Sequence, residues 1–223
     1  MNTDAVQTPT GSSAILDLAG LDAAELHKTP FEYLVMPDFI QADALAGITQ
    51  DFPLIKQAGS FPPDTLQSGP AFNALLLALE GPAFRHAVER KFGLDLTGRP
   101  VMMTVRGHTD ETDGRIHTDS KTKIITVLIY FNESWQDAGG RLRLLRSATD
   151  LDDYVAEVEP SIGTLLVFRR SENSWHGHQP FVGVRRALQL NWVVDEQVKR
   201  REQQRHGLSA FFKRLFGHKE YAG

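Results

Sequence analysis

Two short stretches hold most of the residues that could do chemistry. Arg115-Ile116-His117-Thr118-Asp119 runs into the apolar segment Ile124 to Phe131, and far downstream Ser174-Trp175-His176-Gly177-His178 precedes Arg185-Arg186-Ala187-Leu188-Gln189-Leu190-Asn191-Trp192. Residues two apart on a strand project from one face, so His117 and Asp119 can offer an imidazole and a carboxylate to one point. A histidine from a distant strand completes a two-His, one-carboxylate set with open positions opposite. That donor set suits non-heme Fe(II) and dioxygen chemistry. His108-Thr109-Asp110 repeats the His-x-Asp pattern. It lies in a Gly, Thr and Asp-rich stretch with no strand behind it, so rigidity favours the pair at 117 and 119. His176 and His178 could share a face, and either can supply the second imidazole while the other serves the substrate or a ligand.

A small dicarboxylate held at such a metal needs a planar, permanently charged, bidentate partner for its far carboxylate, which is arginine rather than lysine. Arg185 and Arg186 follow the histidine pair. Adjacent on a strand, they face opposite ways, so one alone can point inward.

These residues need a scaffold, and its elements are readable in order. Residues 1–20, rich in Thr, Ser, Gly, Ala and Asp, read as a flexible leader. Phe31 to Met36 reads as a strand, Ala42 to Phe52 as a helix with Leu45, Ile48 and Phe52 at helical spacing, and Gly59 to Pro70 as loop. Phe72 to Leu79 and Pro82 to Phe92 read as helices, the second opened by proline and followed by Gly93. From Val101 the texture turns to β. Strands are expected over 101–105, 124–131, 141–145, 164–168 and 187–194, with loops over 107–114, 132–140, 160–163 and 179–183. The expected class is α+β, mainly β with N-terminal helices: a jelly roll or sandwich over residues 21–195 with helical support. No internal repeat is present.

Residues 196–223 form a basic tail. From Asp195 onward seven Lys and Arg stand against four Asp and Glu, and Leu208, Phe211, Phe212 and Leu215 make an amphipathic stripe. A terminal helix packed on its own domain, a homodimer or another partner is the expectation there.

Composition removes several classes. A formal charge of -4 gives no general attraction to nucleic acid. With no cysteine, disulfides, thiolate metal sites and cysteine nucleophiles are excluded, so a transition metal must be held by His, Asp or Glu. The first residues lack the pattern of a secretory signal, and no apolar run reaches the roughly 18 to 20 residues of a transmembrane span. A cytoplasmic location is the expectation.

The ordered set of motifs resembles the 2-oxoglutarate and Fe(II)-dependent oxygenase superfamily, in its prolyl 4-hydroxylase-like branch. The resemblance is carried by His117 and Asp119, Tyr130-Phe131-Asn132, Gly139-Gly140-Arg141-Leu142, Gly163 to Phe168, and His176, Pro180, Gly183, Arg186 and Trp192. It implies a double-stranded β-helix core, Fe(II) held by His117, Asp119 and His176, and 2-oxoglutarate as cosubstrate, with ascorbate as an accessory reductant. By the family's spacing it selects His176 over His178, four residues before Pro180, and Arg186 over Arg185 for the distal carboxylate. Many relatives carry a tyrosine before His-x-Asp where this chain has Met103 to Arg106, so Arg106 or Lys123 is expected to contribute, with Tyr130, to cosubstrate binding. The reaction implied is hydroxylation of a C–H bond in a small-molecule or peptidyl substrate, with release of succinate and CO2. The rival readings are a cupin-like metalloenzyme without 2-oxoglutarate and a non-catalytic β-sandwich binding module. The first normally carries a His-x-His pair before its buried strand, which is absent here.

Overall fold

The structure is a computed structural model that describes residues 15–200. Its elements run α1 (Leu18–Ala23), β1 (Tyr33–Met36), α2 (Ala42–Gln50), α3 (Pro70–Glu80), α4 (Pro82–Phe92), β2 (Val101–Thr109), β3 (Lys123–Tyr130), β4 (Leu142–Leu145), β5 (Tyr154–Val158), β6 (Leu165–Arg169), β7 (His176–Gly177) and β8 (Gly183–Val193). Prolines open α3 and α4, where the missing N–H costs no helical bond. Gly93, with φ 61°, ends α4 in the left-handed conformation that glycine adopts without a Cβ penalty.

The strands form a five-stranded sheet ordered β1-β6-β3-β8-β2 and a three-stranded sheet ordered β5-β4-β7, every neighbouring pair antiparallel. This is the jelly-roll architecture expected from the sequence. Strand alternation divides the large sheet into two faces. Met103, Val105, Ile125, Val127, Ile129, Leu188, Leu190 and Trp192 join the core shared with the helices, where Phe84 meets Trp192 at 5.7 Å. Burying each such side chain contributes about 1.5–3 kcal/mol, so this row fixes the sheet against α3 and α4. The opposite face carries Met102, Thr104, Arg106, Thr126, Leu128, Tyr130, Arg185, Ala187, Gln189 and Asn191 into a cavity of about 500 Å³.

Several expectations shift. Leu16 and Leu21 are buried, and Asp17 caps α1, so residues 15–20 belong to the packed body rather than to a leader ending at Gly20. Strand β2 runs through His108 to Thr109, so that decoy histidine sits on a strand after all. What separates it from the site is that it does not line the cavity. Strands β5 and β7 were not expected. The alternating Tyr154-Val155-Ala156-Glu157-Val158 was a readable signal for β5, whereas two residues are too few to show a period at β7. The amphipathic stripe from Leu208 to Leu215 lies outside the described residues. Among the described residues no helix is long and apolar enough to cross a membrane.

Candidate metal and cosubstrate site

His117 and Asp119 lie on the segment leading into β3, and His176 opens β7. The two segments are clamped by backbone bonds: His117 N–H donates to the His176 carbonyl and His176 N–H to that of His117, each at 3.0 Å, while His178 N–H donates to the Gly114 carbonyl at 2.9 Å. Close approach here requires glycines. A Cβ on Gly114, whose φ is +89°, would meet His178 Nδ1 at 2.4 Å, and one on Gly177 would meet the Gly114 carbonyl oxygen at 2.7 Å. As a result one ligand atom from each of His117, Asp119 and His176 lies within 4.8 Å of the others. Gly177→Ala should force these segments apart at a cost of about 1–3 kcal/mol. Metal affinity, read by calorimetric titration with Mn(II), should fall with it; unaltered affinity would mean that the clamp does not set the ligand geometry.

The orientation of each donor is fixed from behind. His117 Nδ1 faces the Arg115 carbonyl at 2.8 Å and His176 Nδ1 faces that of Ser174 at 2.9 Å. A carbonyl can only accept, so each Nδ1 carries the proton and each Nε2 keeps its lone pair for a metal. Asp119 is gripped at both oxygens: Lys123 Nζ donates to Oδ1 at 2.6 Å and the Thr126 hydroxyl donates to Oδ2. Asn191 Nδ2 donates to Thr126 Oγ1 at 2.8 Å, and Gln189 Nε2 to Asn191 Oδ1 at 3.0 Å, extending the support across two strands. Burial alone would push the Asp119 carboxyl up, but the Lys123 ammonium, His176 and these hydrogen bonds hold it below the usual carboxylate range. It is therefore ionised and available to a cation. Two imidazoles held through Nδ1 and an ionised carboxylate, converging on one point, fit Fe(II).

The arginines divide as strand alternation requires, but not as the motif spacing suggested. Arg185, in register with the cavity-facing Ala187, Gln189 and Asn191, lines the cavity and is 5% exposed. Its Nε donates to the Gly140 carbonyl at 2.7 Å, and its NH2 lies 3.4 Å from the Tyr130 hydroxyl. Gly140 holds that carbonyl from a turn in which Trp135 Nε1 donates to the Gly139 carbonyl. No carboxylate pairs with Arg185 among the described residues. Burial, then the Arg106 charge, push its guanidinium toward proton loss, with Tyr130 and Asp113 opposing. Arg186 does not reach the cavity: its guanidinium sits over the Phe52 ring at 5.8 Å, on the helix side of the sheet. Lys123 and Tyr130 line the cavity as expected, Lys123 with its ammonium committed to Asp119. Arg106 lines it too, bonded to Ser60 and Asp113.

His178 is also buried on the cavity wall, its Nδ1 2.8 Å from the Gln179 carbonyl. Burial, then the Arg185 charge, push it down to about 4; burial first also pushes His176 down to about 4, the like charge of His117 adding to it. Between the unfolded value of 6.5 and about 4, the unfolded chain takes up protons that the folded chain does not. The metal-free protein should therefore lose stability as pH falls through that window, and these groups should add no dependence above it. Thermal melts in chelator from about pH 7 to about pH 4.5 should fall steadily, with a shallower slope in His178→Gln. Equal slopes would remove His178 from the account.

Residues 102–194 match the family model described as the 2OG-Fe(II) oxygenase superfamily, and that stretch contains the triad and both arginines. That match identifies residues 102–194 as a 2OG-Fe(II) oxygenase domain. The oxygenase fold recurs in a Pseudomonas putida prolyl-4-hydroxylase, at 21% identity and TM-score 0.52, covering 84% of this chain and 94% of the other. It recurs in a prolyl 4-hydroxylase from Phytophthora capsici at 16% identity and TM-score 0.53, covering 96% and 78%. A third similar structure is HygX from Streptomyces hygroscopicus, with nickel and 2-oxoglutarate bound, at 12% identity and TM-score 0.50, covering 74% and 83%. No curated protein matches the oxygenase. The chain is a 2-oxoglutarate-dependent dioxygenase, with Fe(II) and 2-oxoglutarate as its metal and cosubstrate.

Proposed function

We propose that the oxygenase hydroxylates a C–H bond of a small-molecule or peptidyl substrate, with Fe(II) held by His117, Asp119 and His176 and the distal carboxylate of 2-oxoglutarate held by Arg185. The observation that carries the assignment of residues is the state of Arg185. A buried guanidinium without a counter-charge is costly. This one faces the same cavity as the triad, where a dicarboxylate reaching from the metal would supply the missing charge.

When bound, the metal supplies activation of dioxygen coupled to conversion of 2-oxoglutarate to succinate and CO2. The chain supplies geometry around it. Arg185 is aimed by the Gly140 carbonyl, which takes its Nε and leaves the terminal nitrogens for a carboxylate fork. The Tyr130 hydroxyl stands beside the same fork as a second donor. Lys123 and Thr126 fix the Asp119 carboxylate, so Lys123 orients a metal ligand rather than the cosubstrate. Leu128, Leu142 and Ala187 provide the apolar part of the wall. Neither a cupin-like enzyme without 2-oxoglutarate nor a non-catalytic sandwich accounts for an uncompensated guanidinium opposite a His-Asp-His set whose carboxylate is ionised.

The test is succinate formation by the purified, Fe(II)-loaded protein supplied with 2-oxoglutarate and pools of amino acids, peptides and sugars. Succinate release that depends on 2-oxoglutarate and accelerates with one pool is expected. No succinate, with no thermal shift from metal plus 2-oxoglutarate, would overturn the reading.

A further inference from the structure

The cavity wall is cationic although the chain is not. Arg106, Arg115, Lys123 and Arg185 line it against two carboxylates, Asp113 and Asp119, in a chain of formal charge -4. Three of the four cations have work. Arg106 pairs with Asp113 at 3.1 Å, Lys123 pairs with Asp119 at 2.6 Å, and Arg185 is assigned above to the cosubstrate. Arg115 is left over. Its side chain is exposed at the cavity, and among the described residues it has no ion pair or hydrogen bond. Its own carbonyl takes the His117 ring N–H, which ties the Arg115 backbone to a metal ligand.

We infer that Arg115 selects a substrate bearing a carboxylate and anchors it beside the metal. The inference rests on the proposed function. A divalent metal and a dicarboxylate cosubstrate cancel in charge, so the loaded cavity keeps its two-cation excess and favours an anion over its neutral isostere. A guanidinium is weakly hydrated and matches a carboxylate in two-point geometry, which makes Arg115 the group able to collect that charge. Its position two residues before His117 places the anchored molecule within reach of the reacting centre.

The full-length protein, loaded with Mn(II) and saturating 2-oxoglutarate, is mixed in turn with hippurate and with its neutral amide, hippuramide, and the metal's enhancement of each probe's proton relaxation is measured by NMR. Stronger relaxation of the acid in the wild type is expected, with apparent affinity weakened about tenfold in Arg115→Gln, the worth of a hydrogen bond to a charged group. Equal relaxation of acid and amide in the wild type, at zero or above it, overturns the inference. The 2-oxoglutarate signals in the same tube separate the two levels of the account. If they fall in parallel in Arg115→Gln, the side chain serves the metal centre and the inference fails. If they are unrelaxed even in the wild type, the cosubstrate reading has failed first.

Discussion

Replacing His117, Asp119 or His176 with alanine is expected to lower 2-oxoglutarate-dependent succinate release by more than about a hundredfold. Groups that merely support a metal ligand are commonly worth 10 to 100-fold, so loss of a ligand should exceed that range. The three variants should differ in stability. His117 is exposed, so His117→Ala should fold normally and lose only the thermal shift produced by added Mn(II). Asp119→Ala should in addition destabilise the metal-free protein, because Lys123, 15% exposed, is left beside the cavity without its partner. That cost should be about 2 kcal/mol, less than for a fully buried pair because the cavity admits water. Melts in chelator measure it, and full turnover by any of the three variants would contradict the ligand assignment.

Arg185→Gln should raise the KM for 2-oxoglutarate by about two orders of magnitude, since removing one partner of a buried, hydrogen-bonded charge pair costs about 2–5 kcal/mol. Arg186→Gln should leave that KM within about twofold, because its guanidinium lies over Phe52 outside the cavity. Steady-state succinate assays on the two variants decide between neighbouring residues. A large effect at Arg186 with little at Arg185 would reverse the assignment.

The contrast between those arginines shows how far the sequence could be read. The triad was legible because His117 and Asp119 stand two apart ahead of a strongly apolar strand, and because motif order singled out His176. The choice between Arg185 and Arg186 was also legible, but from periodicity rather than motif distance. Along β8, Gln189 and Asn191 mark one face as polar while Leu188, Leu190 and Trp192 mark the other as core, and Arg185 belongs with the polar series. Counting from His176 across a turn does not give the facing of these side chains, because one residue more or fewer in the turn reverses every side chain that follows. The supports of Asp119 were less visible. Thr126 and Asn191 are 65 residues apart and meet only because β3 and β8 pair in one register. The glycine clamp was hidden for the same reason, since Gly114 and Gly177 become a contact only after β7 docks. Residues 15–20 read as a leader because their composition is that of linkers, yet Leu16 finds the helical core.

The most direct measurement is an anaerobic titration of the Fe(II)-loaded protein with 2-oxoglutarate, followed by visible absorption, in wild type and His176→Ala. A charge-transfer band that saturates at one equivalent in the wild type and is absent in the variant is the predicted result. A band of equal strength in His176→Ala, or none in the wild type, would contradict the claim that these three side chains hold one ferrous ion for a keto acid.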